Sequence, residues 1–277
     1  MLTINYQQLI QALNQLGIRA GQGVLVHSAL QYLGTPQGGL QLYLESLFDA
    51  LGIAYSHRQE NPSPDDSQGT IVVPAFNFSF ASGEPYDPDN SPSQGMGVFS
   101  ELVRRQPAAR RTPHPMQSFC IIGRHADELA SLDTPSAFDP GSAFEHMLEL
   151  DFDLLLLGAN VQAISALHYS EQRFSVPYRY WKDFSGQVKT KTGWKTRTYK
   201  MFVRDLSLDP QLTLYPVQAL LEKRGQWQTI PLNYGQIARC RMVDFIAAVD
   251  EFLRNDPWSL VTNPPADYSV YKNTQHG

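Results

Sequence analysis

The segment Ser165-Ala166-Leu167-His168-Tyr169-Ser170-Glu171 sets an imidazole three residues before a carboxylate. On a helix both side chains fall on one face, where Glu171 can hold the ring of His168. Held in that way, a histidine is a general base matched to neutral pH, because the carboxylate orients the ring and stabilises the imidazolium it becomes. A His–Glu pair at this spacing is more often a plain polar contact, but here it follows an apolar strand that ends at Gly158, and open α/β sheets gather ligands at the carboxyl ends of their strands. A second segment of that kind is Val26-His27-Ser28-Ala29-Leu30, followed by Gly34, Gly38 and Gly39, where small residues let a ligand approach backbone amides. It is neither a Walker loop nor a dinucleotide fingerprint, and an ordinary turn reads the same way. The third is Arg110-Arg111-Thr112-Pro113-His114-Pro115, paired arginines beside a hydroxyl, which suits phosphate recognition or, equally, a rigid structural loop.

Other chemistries find less support. Cys120 and Cys240 have no Cys or His partner at zinc-ligand spacing, and Cys120 lies in the apolar run Phe119 to Ile122, so it reads as a buried, inert thiol. Two cysteines in 277 residues point to a reducing compartment, and the cytoplasm is expected, since nothing near Met1 reads as a signal peptide and no run reaches the length of a membrane span. No metal, nucleic-acid or membrane partner is expected. A metal-dependent amidohydrolase built from His168, Glu171, His27 and His114 is the rival enzyme reading, with spacings that fit no familiar metal signature. No Gly-x-Ser-x-Gly elbow is present, which argues against an acyl-serine intermediate.

Charge is distributed unevenly. From Arg179 to Arg204 eight basic residues accompany one acidic residue, a net +7, which leaves −12 for the remainder of a chain whose total is −5. This is either a solvated strand edge protected by lysines or an anion-recognising arm. Its Trp181, with Tyr180, Trp194 and Tyr199, could stack on sugar or base rings, and Asp205 at its end is a further candidate carboxylate. A non-catalytic carbohydrate-binding protein that uses this ribbon for an acidic glycan is the alternative from outside enzymology.

The elements that must position these groups follow from apolar periodicity. Tyr6, Leu9, Ile10, Leu13 and Leu16 predict a helix with Asn5 and Gln8 as a capping box, closed by Gly17. Strands are expected at Val24 to Val26, Gly69 to Phe76, Ser118 to Ile122 and Leu154 to Leu157. Helices are expected over Leu42 to Leu51, Val98 to Arg105, Phe144 to Leu150 and Met242 to Phe252. Ser56 to Gln68 reads as an exposed loop, and the proline-rich stretch Gly83 to Ser93 as a functional one. Turn signals at Ser185-Gly186 and Thr192-Gly193 suggest that residues 178–205 are an inserted β-ribbon in a single domain spanning residues 1–277. Alternating strands and helices argue for an α/β core.

In order along the chain stand VHSAL with Gly38-Gly39, Pro74-Ala75-Phe76, Gly97 to Arg104, Arg111 to Phe119, Leu155 to Gly158, and Ser165 to Glu171. This series resembles the aminoglycoside 3-N-acetyltransferases and their relatives, over roughly Leu9 to Glu171. Ala29, Thr112 and Ser165 stand where that family has Ser, Ser and Thr. The resemblance implies a three-layer α/β/α fold with a central mixed sheet, and transfer of an acetyl group from acetyl-coenzyme A to an amine of an aminoglycoside or related amino sugar. It supports His168 as base with Glu171 orienting it. Ser165 and the amides around His27, Ser28, Ala29 and Leu30 would face the thioester, and Arg110, Arg111, Thr112 and His114 the coenzyme A phosphates. Beyond Tyr178 the match weakens, and there the +7 ribbon, where it borders the acceptor site, favours an anionic or neutral amino sugar, such as a nucleotide-linked or polysaccharide precursor, over a polycationic drug. The ribbon could also meet coenzyme A itself or a second copy of the chain in a homodimer.

Overall fold

The computed structural model describes residues 2–54 and 67–266; the loop expected over Ser56 to Gln68 falls, up to residue 66, outside them. The chain opens with β1 (Thr3–Ile4) and α1 (Tyr6–Gln15). Asn5 caps α1 as expected: its side chain accepts from the Gln8 amide at 3.0 Å while its own amide donates to the Gln8 side chain at 2.9 Å. There follow β2 (Gly23–Ser28), β3 (Thr35–Pro36), α2 (Gln41–Leu51), β4 (Thr70–Pro74), α3 (Gly97–Arg104), β5 (Arg110–Arg111) and β6 (Phe119–Gly123). The second half supplies α4 (Ala126–Ser131), α5 (Ala143–Glu149), β7 (Asp153–Leu157), α6 (Leu167–Arg173), β8 (Arg179–Thr190) and β9 (Gly193–Arg204). It ends with α7 (Tyr215–Lys223), β10 (Gln228–Leu232), β11 (Gly235–Arg241) and α8 (Met242–Asn255).

Seven strands form one sheet in the order β10-β11-β7-β2-β4-β6-β5, with β7, β2 and β4 parallel and every other pairing antiparallel. Period-two alternation splits its side chains between two cores. Leu25, Val72, Ile121, Leu154 and Leu156 pack with α4 to α8, while Val24, Val26, Ile71, Val73, Leu155 and Leu157 pack with α1, α2 and α3. This is the three-layer α/β/α arrangement. It also explains why β7 reads as an unbroken apolar run, since a central strand is covered on both faces. No described helix is long and apolar enough to cross a membrane.

The ribbon is β8 paired to β9 over twelve residues each, with its two-residue turn at Lys191-Thr192, one position before the turn signal Thr192-Gly193. Ser185-Gly186 is not a turn but lies inside β8. Glycine is there because Phe80 needs the space: a Cβ on Gly186 would stand 2.7 Å from its ring. Phe80, Tyr86, Met116, Val188 and Tyr199 form a small separate core that fastens the ribbon to the body. Tyr86 comes from the stretch expected to be functional, and its backbone exchanges hydrogen bonds with Gln187 and Lys189 at 2.8 Å. In this region the proline-rich segment is an anchor for the ribbon.

Candidate active site

β2 and β7 run side by side with Ser28 opposite Leu157, so His27, Ser28 and Gly158 meet at the carboxyl edge of the sheet. Gly158 has φ +73°, and a Cβ there would stand 2.5 Å from the carbonyl oxygen of Ala29, so the two strand ends close together only with glycine at this point. The Ala29 amide donates to Leu157 O at 2.9 Å, and Leu30, buried, begins a single helical turn. A groove of about 460 Å³ opens over this edge, lined by Ser28, Ala29, Gly158, Asn160 and, from the β10–β11 hairpin, Tyr234 and Gln236. Ala163 also lines a hollow of about 210 Å³ that contains Ser165 and His168, so the two spaces adjoin.

His168 stands in the first turn of α6. Its Nδ1 is 2.6 Å from Oε2 of Glu171, whose side chain is fully buried. Two acceptors cannot share so short a contact, so Nδ1 carries the hydrogen and Nε2 is the basic nitrogen. Burial pushes the Glu171 carboxyl up, but the hydrogen bond from His168 and the charge of Arg179 hold it below its usual range. Arg179 approaches from the first residue of β8. Its Nε lies 2.8 Å from Glu171 Oε2, close enough for an ion pair but poorly aligned as a hydrogen bond, and its Nη2 lies 3.2 Å from His168 Nδ1. Phe138 packs its ring against that of His168 with centroids 6.5 Å apart.

His27 is buried and joins Ser165 to the sheet. The Ser165 amide donates to its Nε2 at 3.3 Å, and Ser165 Oγ lies 3.3 Å from the same nitrogen. Burial lowers its pKa to about 4, so the ring is neutral in the physiological range.

The third motif is placed elsewhere. β5 is the edge strand, four sheet positions from β7, which is on the order of 19 Å at the usual strand spacing. Arg110 pairs with Asp127 at 2.8 Å. Arg111 is buried and donates to Ser118 Oγ at 3.1 Å and to the carbonyls of Ala75 and Ser91, with its guanidinium over the Tyr86 ring. Thr112 Oγ1 accepts from the Phe119 amide at 2.8 Å. His114 accepts from the Gln117 amide at Nδ1 and donates through Nε2 to Lys200 O on β9, and burial lowers its pKa to about 4. Arg111, Thr112 and His114 thus find their polar partners inside the protein and brace the edge strand and the ribbon, whereas Arg110 is exposed and pairs with Asp127 at the surface. Gly97 to Arg104 has a similar part, since Glu101, paired with Arg104 at 2.9 Å, accepts from the amide and hydroxyl of Ser93 and closes the proline-rich loop.

Asp205 directly follows β9, but its carboxylate accepts from the Ser207 amide at 2.8 Å and hydroxyl at 2.6 Å. Trp181 is two residues from Arg179, hence on the same ribbon face, and packs on Phe202 with centroids 5.2 Å apart while staying half exposed. Cys120 is buried, with its thiol pushed up to about 12, as its apolar surroundings imply. Among the described residues no group of three or more His, Cys, Asp or Glu could hold a metal ion, and His27, His114 and His168 have separate partners. Arg179, Asn160 and Tyr234 were not singled out from sequence. For Arg179 the available signal was its place at the first position of a predicted ribbon, directly after the His–Glu helix.

A family model described as aminoglycoside 3-N-acetyltransferase matches residues 25–254. An aminoglycoside N(3)-acetyltransferase III from Salmonella sp is 26% identical over 198 residues, 68% of each chain. Among solved structures, AAC(3)-IVa as apoenzyme superposes with a TM-score of 0.72 at 25% identity, covering 94% of this chain and 92% of that one. AAC-IIIb in its binary complex with CoASH gives a TM-score of 0.77 at 19% identity, covering 92% and 97%.

Proposed function

The chain belongs to the aminoglycoside 3-N-acetyltransferase family, and from that premise we propose that it moves an acetyl group from acetyl-coenzyme A directly to an acceptor amine, with His168 as general base. The observation that carries this reading is the 2.6 Å contact between His168 and the buried Glu171, in a hollow adjoining the groove at the ends of β2 and β7. A protonated amine cannot attack a thioester. His168 Nε2 takes the amine proton as nitrogen bonds to the acetyl carbon, and Glu171 balances the imidazolium that results. The carbon–sulfur bond then breaks, and the coenzyme A thiolate leaves and takes the proton from the His168 imidazolium, which restores the neutral ring. The groove of about 460 Å³ is the place for the thioester arm, a reading supported by the relative that binds CoASH. Ser165, fixed by His27, offers a hydroxyl to the developing oxyanion or the sulfur. His168→Ala is expected to lower kcat by about 10² to 10⁴ while coenzyme A binding survives. Normal turnover by that variant would end this reading.

The ribbon favours a second reading of the acceptor. An enzyme for polycationic aminoglycosides gains from carboxylates around its acceptor site, yet at the start of β8 the Glu171 carboxylate is already matched by Arg179, and the exposed side chain that follows on that face is the aromatic Trp181. That face suits a neutral or anionic amino sugar, such as a nucleotide-linked or polysaccharide precursor, stacked on Trp181. Steady-state kinetics at two ionic strengths decide between them. The second reading expects kcat/KM for an amino-sugar nucleotide to exceed that for gentamicin and to fall with salt; the reverse order would return the acceptor to the aminoglycosides.

A further inference from the structure

Glu171 is a fully buried carboxylate, and a buried charge requires a counter-charge. With His168 as its sole partner, the cluster would reach neutrality by protonating the imidazole, and a protonated imidazole cannot act as a base. The structure supplies another cation. Arg179, with a side chain only 10% exposed, comes within 2.8 Å of Glu171 Oε2, and its Nη1 is fixed by Phe202 O at 3.1 Å. Its Nη2 lies 3.2 Å from His168 Nδ1. Because Nδ1 already gives its hydrogen to Glu171, this last contact sets a cation against a donor and is not a hydrogen bond. A guanidinium so placed is favourable to the carboxylate and unfavourable to a second proton on the ring.

We infer that Arg179 is a positioning residue that balances the charge of Glu171, so that His168 rests as the neutral Nδ1–H tautomer with Nε2 free to accept a proton. This deepens the proposed function and rests on it. With Arg179 present, the resting trio of carboxylate, guanidinium and neutral ring has no net charge. The cluster gains its positive charge only when His168 takes a proton from the acceptor, and Glu171 then supports the imidazolium directly. The remaining charged or titratable groups nearby are accounted for. The Tyr178 hydroxyl is buried and pushed up by burial and by the Glu171 charge. Arg204, opposite Arg179 on β9, pairs with Asp209, and Asp205 is turned to Ser207. Arg173 and Asp250 pair with each other towards α8. Phe138, Leu212 and Leu214, on the other elements around His168, carry no charge.

The test compares pH profiles of kcat/KM for the unaltered enzyme, R179Q, R179K and H168A, each checked for folding by circular dichroism. In R179Q the acid limb is expected to move up by about one pH unit, a tenfold loss on that limb that disappears at high pH. In R179K, which keeps the charge, the limb is expected to stay near its original position. Coincident limbs in all three active proteins, or an R179K limb displaced as far as that of R179Q, would overturn the inference. Should R179Q fail to fold, 15N NMR of the unaltered protein decides: the neutral Nδ1–H tautomer of His168 at pH 7.5 supports the inference, and an imidazolium signal there overturns it. An active H168A would instead remove the general-base reading itself, so the two failures are distinguishable.

Discussion

The histidines of this protein differ by environment more than by position in sequence. His168 is partly exposed beside a carboxylate and a hollow, whereas His27 and His114 are buried among neutral partners and lowered to about 4. A histidine lowered on folding binds fewer protons in the native state than in the unfolded one. Its contribution to stability is therefore complete above the ordinary value near 6.5 and is lost as pH falls from there towards 4. Stability should decline across that window, and His114→Asn, which can still accept from the Gln117 amide, should make the decline shallower. Thermal unfolding measured from pH 4.5 to pH 7.5 checks this; parallel curves for the two proteins would mean that His114 already titrates normally. Glu101 works in the same sense in a more acid window. Burial raises it, but hydrogen bonds from Arg104 and Ser93 bring it down to about 2, so its contribution is present above about 4.5 and is lost only in stronger acid.

At the scale of elements, the ribbon links a structural edge to the proposed reactive centre. Its first residue, Arg179, touches the dyad, while its middle is fixed by Phe80, Tyr86, Val188 and Tyr199. Gly186→Val would drive a side chain into Phe80, where even a Cβ stands at 2.7 Å, and overpacking of this kind costs typically about 1–3 kcal/mol. The variant is expected to melt several degrees lower, with Phe80→Ala in the same chain recovering part of the loss. An unchanged melting temperature would show that the ribbon is not fastened there. The basic composition of the ribbon also resolves into parts. Lys189 pairs with Asp87 and Arg204 with Asp209, whereas Lys191, Lys195 and Arg197 line a cleft of about 950 Å³ shared with α4.

At the scale of the whole molecule, three layers bring together residues from distant parts of the chain. His27 and Ser165 are 138 residues apart, and β2 and β7 become neighbours only within the sheet. A ligand in the groove over those strands binds the folded state alone and stabilises it by mass action, about 2.7 kcal/mol at a hundredfold excess over its dissociation constant. Acetyl-coenzyme A should therefore raise the melting temperature by several degrees, and Gly158→Val, whose side chain would force Ala29 and the strand ends apart beneath the groove, should abolish that rise. No shift with the unaltered protein at millimolar ligand would count against the thioester groove.

The sequence by itself determined the local features. The Asn5–Gln8 cap, the apolar run of β7, the helix that sets His168 beside Glu171 and the hairpin turn just before Gly193 each depend on residues within one turn or one strand, so period and capping chemistry suffice to read them. The ordered motifs from VHSAL to Glu171 carried the family as well. Tertiary structure decided which of those motifs share a site. Arg111 and His114 look like anion ligands when read along the chain, but edge-strand pairing and the docked ribbon surround them with carbonyls and amides from residues 75 to 200, and a buried polar group takes the partners that packing brings to it. Arg179 is the converse case. Along the chain it is one of eight basic residues in a ribbon, and it joins the His168–Glu171 pair only because the start of β8 packs beside Glu171, where a buried carboxylate requires a cation.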